Sequence, residues 1–318
     1  MKGAKQTTLR DEVTVTGVGV HSGRDVTLTL LPADDDAGIV FRRVDADGNC
    51  QRQVRADVRA VTATEFATVL GDASGPLCST AEHLLAALRG LHVDNVVIEI
   101  DGPEVPIMDG SAMPFVEALD QAGLTDRALP RRFIEVIKPV QVVRDHAFGE
   151  LRPYEHGFRV EAEIEFDHPL IGKQTLDIDV TPDSFRNEVA RARTFGFMKD
   201  VSKLWSAGYA LGASFDNTLV ISEDRVLNPE GLRYADEFVR HKALDAIGDL
   251  ALAGLPLIGA YKTIRGGHKL NNAVLTALMN NTAAWRVVEA PAERSPRPRG
   301  RAELAAGVPA AAYGPDVS

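Results

Sequence analysis

Two stretches of this chain, far apart in sequence, repeat one layout. STAEHLLAALRG (79–90) is an apolar helix pattern behind a Ser/Thr cap, NVVIEID (95–101) is a β-branched strand, and SAMPFVEALDQAG (111–123) is a second helix. VRHKALDAIGDLALAG (239–254), LIGAYKTI (257–264) and NNAVLTALMNN (271–281) run in the same order. In each half the second helix begins 28 residues after the histidine of the first, at 111 after His83 and at 269 after His241. Such a duplication predicts an α+β fold of two similar domains, each a β-sheet covered by two helices, with the helical layers facing each other. A cleft between the layers is then the natural place for a site.

The length agrees. At roughly 150 residues per domain, 318 residues make two. The opening third alternates as strands, VTVTGVGV (13–20), DVTLTLLPA (25–33), IVFRRVD (39–45) and VRADVRAVTAT (54–64), with His21–Arg24 as a hairpin turn. Strands resume in FIEVIKPVQVV (133–143), FRVEAEIEF (158–166) and RTFGFM (193–198). Between these regions LTDRALPRR (124–132) interrupts the periodicity and is expected to be a linker. The expected division is therefore 1–125, 126–290 and a Pro-, Ala- and Arg-rich tail, 291–318, expected to be disordered.

Charge and cysteines narrow the function. Thirty-five Lys and Arg against 45 Asp and Glu give a net charge of −10, which opposes binding to nucleic acid or anionic lipid over most of the surface. Any phosphate-bearing ligand needs a local basic patch. Cys50 and Cys78 form neither a disulfide framework nor a C-x-x-C pair, as expected for a cytoplasmic protein. The N-terminus has no apolar core of a signal peptide, and the most apolar stretch, near 243–261, carries Asp245, Asp249, Gly254 and Pro256. No membrane-spanning segment is predicted.

The most informative segment is EFVRHKALDAIGDL, in which His241, Asp245 and Asp249 recur every four residues and share one helical stripe. A histidine and an aspartate on successive turns reach one zinc ion and leave room for another ligand and water. The same spacing also serves an ion pair on a wet helix face, but Ala243, Leu244, Ile247, Leu250 and Leu252 leave little of this helix for solvent. Glu82 and His83 are adjacent, about 100° apart around their helix, so they suit different jobs: His83 as the missing nitrogen ligand, Glu82 as a base over a metal-activated water. Alone, a histidine at the start of an apolar helix is more often simply packed; only the two helices together carry the signal. In RGGHKLNN (265–272) two glycines allow close backbone approach and His268 precedes a helix. If Asp249 accepts its ring N–H, His268 becomes a general acid.

With these residues assembled, the chain resembles the bacterial UDP-3-O-acyl-N-acetylglucosamine deacetylases, zinc amidases of lipid A synthesis. The resemblance covers nearly all of 5–290, through TGVGVHSG, STAEHLLAAL, PEVPIMDGSAMPFV, RARTFGFM, RVLNPEGLRYADEFVRHKALDAIGDL and GGHKLNN. It implies that His83, His241 and Asp245 bind Zn2+, that Glu82 activates water, that Asp249 orients His268, and that Thr194 helps hold the oxyanion. It further implies that Lys242, Arg265 and Gly267 face the diphosphate and sugar of an acylated UDP-sugar, that Phe166 packs on the base, and that Phe195 and Asp200 line the substrate site. Met198, Val201, Trp205, Phe215 and Val220 are available for the acyl chain, although at least half are expected to be ordinary core. Two departures stand out: Arg265 replaces a Lys of many members, and EFATVLG carries Ala67 where several have Cys. A cytoplasmic monomer acting on a small molecule is expected; iron in place of zinc stays open, because a His2Asp set accepts both.

Overall fold

The structure, a computed structural model, describes residues 5–290. Its first sheet has five strands in the order Val13–Val18, Asp25–Pro32, Val96–Ile100, Ile39–Val44 and Cys50–Arg55. The second has seven. At its centre Leu257–Ile264 pairs antiparallel with Ala147–Arg152 and parallel with Phe158–Glu165 and the end of Arg132–Val136; Val140–Arg144, Lys173–Asp179 and Trp285–Glu289 complete it.

Each sheet carries two helices, Glu82–Gly90 with Met113–Ala122 on the first and Glu237–Leu250 with His268–Asn280 on the second. The layers stack sheet, helices, helices, sheet. All nine residues of Glu82–Gly90 are buried, and so are twelve of the fourteen in Glu237–Leu250. A helix buried all round must be covered on every face: these two pack on each other, Met113–Ala122 also flanks the first, and Phe158–Glu165 and Lys173–Asp179 back the second. Leu84, Leu85, Leu88, Leu244 and Ile247 are fully enclosed in one continuous core, each worth about 1.5–3 kcal/mol of burial. Two charged residues of the stripe, Asp245 and Asp249, lie in the same dry layer.

Two local expectations fail. The stretch 124–132 is no linker: Leu124–Pro130 is a strand paired antiparallel with Lys5–Leu9, so its Pro and polar residues sit on an edge where the missing N–H does no harm. The run 54–64 breaks at Ala56 into a 3-10 turn, Val58–Ala60, because the Asp57 side chain accepts the Arg59 amide. After it, Val61–Ala63, Val69–Asp72 and Gly75–Cys78 form a three-stranded sheet that alternation did not reveal. The tail 291–318 lies outside the described residues. No helix among the described residues is long and apolar enough to cross a membrane.

Candidate metal centre and active site

The facing helices bring His83, His241 and Asp245 together, all buried, with one ligand atom from each within 4.8 Å of the others. Asp245 Oδ1 stands 3.3 Å from His241 Nε2 and 3.6 Å from His83 Nε2. Those separations are close to the roughly 3.3 Å edge of a tetrahedron with arms of about 2.0–2.1 Å. Asp245 Oδ1 is buried and accepts no hydrogen bond among the described residues, an orphaned carboxylate oxygen that a cation would satisfy.

The ring nitrogens are sorted by their neighbours. The Ala192 carbonyl can only accept, so His241 Nδ1 donates to it at 3.0 Å and the Nε2 lone pair faces the cluster. Burial pushes the His241 imidazole down to about 3, which keeps it neutral and able to ligate. Asp245 is held well below the usual carboxylate range although burial opposes its charge, because the Lys242 ammonium adjoins it. Lys242 Nζ donates to Asp245 Oδ2 at 2.7 Å, which sets its charge beside the three-ligand cluster.

Beside the cluster is a second group. Glu82, 3% exposed, accepts the Thr68 amide on Oε2 at 3.0 Å and places Oε1 3.7 Å from His268 Nε2. Burial raises the Glu82 carboxyl, offset in part by His268 and His83, which is how a carboxylate becomes a useful base. His268 Nδ1 donates to Asp249 Oδ2 at 2.9 Å. Burial works against its charge, yet Asp249 and Glu82 outweigh that and raise it to about 10. Asp249 is fixed from two more directions, by the Thr68 hydroxyl on Oδ1 at 2.6 Å and by Asn271 Nδ2 on Oδ2 at 2.8 Å.

A pair of helices that offers three convergent ligands, a buried carboxylate and an imidazole held by aspartate is specific enough for comparison with known proteins. The model of the UDP-3-O-acyl N-acetylglycosamine deacetylase family matches residues 6–280. Proteins named UDP-3-O-acyl-N-acetylglucosamine deacetylase from Brucella ovis, Brucella canis and Brucella melitensis are each 50% identical over 288 residues, covering 90% of this chain and 99% of theirs. The chain belongs to this deacetylase family.

In this family member Thr68 and Asn271 are the positions sequence reasoning missed. Thr68 lies within EFATVLG, next to the Ala67 that stands where several members have Cys, and it binds both Glu82 and Asp249. Only the three-stranded sheet of 61–78 carries it there. Asn271 sits one turn beyond His268, a spacing that puts both on one helix face and offered a signal.

The other candidates are placed as follows. Thr194 is half-buried two residues from the Ala192 carbonyl, and its hydroxyl makes no hydrogen bond among the described residues. Phe195 packs edge-on to Phe166, with centroids 5.8 Å apart, and Lys242 lies over its ring at 5.5 Å. A Cβ on Gly267 would meet nothing within 4 Å, so it borders open space, whereas one on Gly266 would lie 2.0 Å from Thr263 Oγ1. One glycine of the pair is therefore a packing requirement. Arg265 is exposed, and its Nε donates to Glu165 at 2.9 Å. It lines a cavity of about 620 Å³ with Gly267, His268 and Phe66, to which Arg144 and Lys269 add positive charge. Asp200 is exposed just before the short helix Val201–Ser206. None of the five acyl-chain candidates is core: Met198, Trp205 and Phe215 are at least half exposed, and Val201 and Val220 partly buried.

Proposed function

We propose that this chain hydrolyses the N-acetyl amide of a UDP-3-O-acyl-N-acetylglucosamine, releasing acetate and the free amine on the way to lipid A, with zinc held by His83, His241 and Asp245. The observation that carries the assignment is Glu82, a buried carboxylate set between the three-ligand cluster and an Asp249-held imidazole. A dication at these ligands supplies a Lewis acid, which acidifies water and polarises a carbonyl.

The chain's own groups do the proton work. Glu82 Oε1 takes a proton from the attacking water while the Thr68 amide keeps Oε2 fixed. As the water oxygen bonds to the acetyl carbon, the carbonyl oxygen gains charge and the Thr194 hydroxyl donates to it. His268 Nε2 gives its proton to the amide nitrogen, the C–N bond breaks, and the sugar leaves as an amine. Asp249 holds Nδ1–H, so Nε2 is the nitrogen turned to the substrate.

The 620 Å³ cavity beside His268 suits the diphosphate and sugar, since Arg144, Arg265 and Lys269 supply the local positive field that a protein of charge −10 needs. Phe166, Phe195 and Asp200 belong to the substrate side of this reading. The exposed Met198, Trp205 and Phe215 offer the acyl chain about 0.8 kcal/mol per methylene buried. A division near residue 125 completes the reading, with 1–125 contributing His83 and Glu82 and 126–290 the rest.

The test is metal analysis beside acetate release. Glu82→Gln is expected to keep its metal and lose about 10²–10⁴ in turnover, whereas His83→Ala loses metal and activity together. Full turnover by Glu82→Gln would sink the assignment of the base.

A further inference from the structure

On the far side of the Glu82–Gly90 helix, its Arg89 lies 93% buried, 7% exposed, at the floor of a cavity of about 660 Å³. Arg131, Phe133, Phe158, Leu257 and Ile258 line the same cavity, a volume ordinary for a small-molecule site. Arg89 Nη2 reaches the Ala251 carbonyl at 3.5 Å, but Nε and Nη1 have no acceptor among the described residues. The neighbouring void on the Asp94 and Asn95 side has about 10 Å³, room for a single water.

The charge does not balance either. Arg131 Nε takes Asp94 Oδ1 at 2.9 Å, and the Thr7 amide takes Asp94 Oδ2 at 3.0 Å. Two buried guanidinium groups thus share one carboxylate that is already hydrogen-bonded. Burial lowers Arg89 to about 10, partly offset by Asp94, which leaves it cationic at neutral pH. His92, in the same wall, is driven down to about 3 by burial and the two arginines and adds no charge. A buried cation with two unpaired donors in the wall of a largely apolar chamber calls for an anion. Glu155 and Asp183 stand exposed at the rim and disfavour multiply charged ligands.

We propose that this cavity is a second ligand site, separate from the metal centre, which binds a small amphipathic monoanion by seating a carboxylate on Arg89 and an apolar body between Phe133, Phe158 and Ile258.

The experiment uses the full chain with octanoate, octan-1-ol and inorganic phosphate as probes, read by calorimetry and by hydrogen exchange. Octanoate should slow exchange at 155–158 and 180–183 and bind at least tenfold more tightly than octan-1-ol or phosphate. Arg89→Met should weaken octanoate by roughly tenfold or more, as expected for a lost charge-assisted bond. Because Arg89→Met removes a buried residue, Asp183→Lys is the companion variant: a rim charge change that leaves the core intact and should tighten octanoate two- to fivefold. Protection confined to 194–205 and 265–270, equal binding of octan-1-ol, or an affinity unmoved by Asp183→Lys would each overturn the proposal.

Discussion

Gly248 lies so close to Glu82 that a Cβ added to it would stand 2.0 Å from the Glu82 backbone carbonyl oxygen. The absent side chain sets the separation of the two central helices, and with it the meeting of His83 with His241 and Asp245. Gly248→Ala would force these helices apart. We expect a loss of about 1–3 kcal/mol, typical of overpacking, together with weakened metal affinity. Chemical denaturation with and without zinc measures both; unchanged affinity would show that the close approach does not set the ligand geometry.

Removal of the metal should expose the orphaned Asp245 Oδ1. A cation at a hundredfold its dissociation constant stabilises the folded state by about 2.7 kcal/mol. Thermal unfolding of wild type is therefore expected to fall on chelation, and that of Asp245→Ala to be nearly indifferent to chelator. A chelator response retained in Asp245→Ala would place the cation elsewhere.

Thr68→Val deletes one hydroxyl and keeps the backbone amide that holds Glu82. It releases Asp249 Oδ1, so His268 should be less well held while the metal ligands stay put. The expected result is unchanged metal content, a roughly tenfold lower kcat, in line with one lost hydrogen bond to a charged group, and a shifted pH profile. A change in metal content with an unshifted profile would count against this role.

His268 carries a signed pH dependence. Its folded value, raised to about 10, exceeds the roughly 6.5 of an unfolded histidine. The stabilisation it gives is thus complete below about 6.5 and lost as pH rises through 10. In metal-free protein, denaturation from pH 6 to 10 should show wild type losing stability relative to His268→Gln. A bound dication offsets the nearby carboxylates and moves the alkaline limb of the pH–rate profile below 10. His268→Gln should abolish that limb; its persistence at the same position would pass the acid role to Glu82.

Trp205 is 57% exposed, and its indole N–H makes one hydrogen bond, to the Ala210 carbonyl. If it covers the acyl chain, Trp205→Ala should raise KM several-fold for long-chain substrate and leave a short-chain analogue unaffected. Acetate release with two chain lengths decides it.

Much of the fold was legible because its signals are local. The Glu237–Leu250 stripe follows from 3.6-residue periodicity, and the alternation of 13–18 and 25–32 marks two strands of the first sheet. Misreadings fell where tertiary pairing overrides local composition. Leu124–Pro130 looks like a linker until Lys5–Leu9 pairs with it. The pairing of Arg265 with Glu165, a hundred residues earlier, is another contact that local composition does not contain.

His241 and Asp245 were set on one face by four-residue spacing alone, and burial of that face by the aliphatic residues around them. What no local pattern contains is the distance from His83 to Asp245, or the bonds from Thr68 to Glu82 and Asp249. Those contacts join residues up to 181 positions apart. They exist only because two sheets press their helices together across Gly248, where the burial of apolar surface pays for carboxylates and imidazoles held dry at a few ångströms' separation.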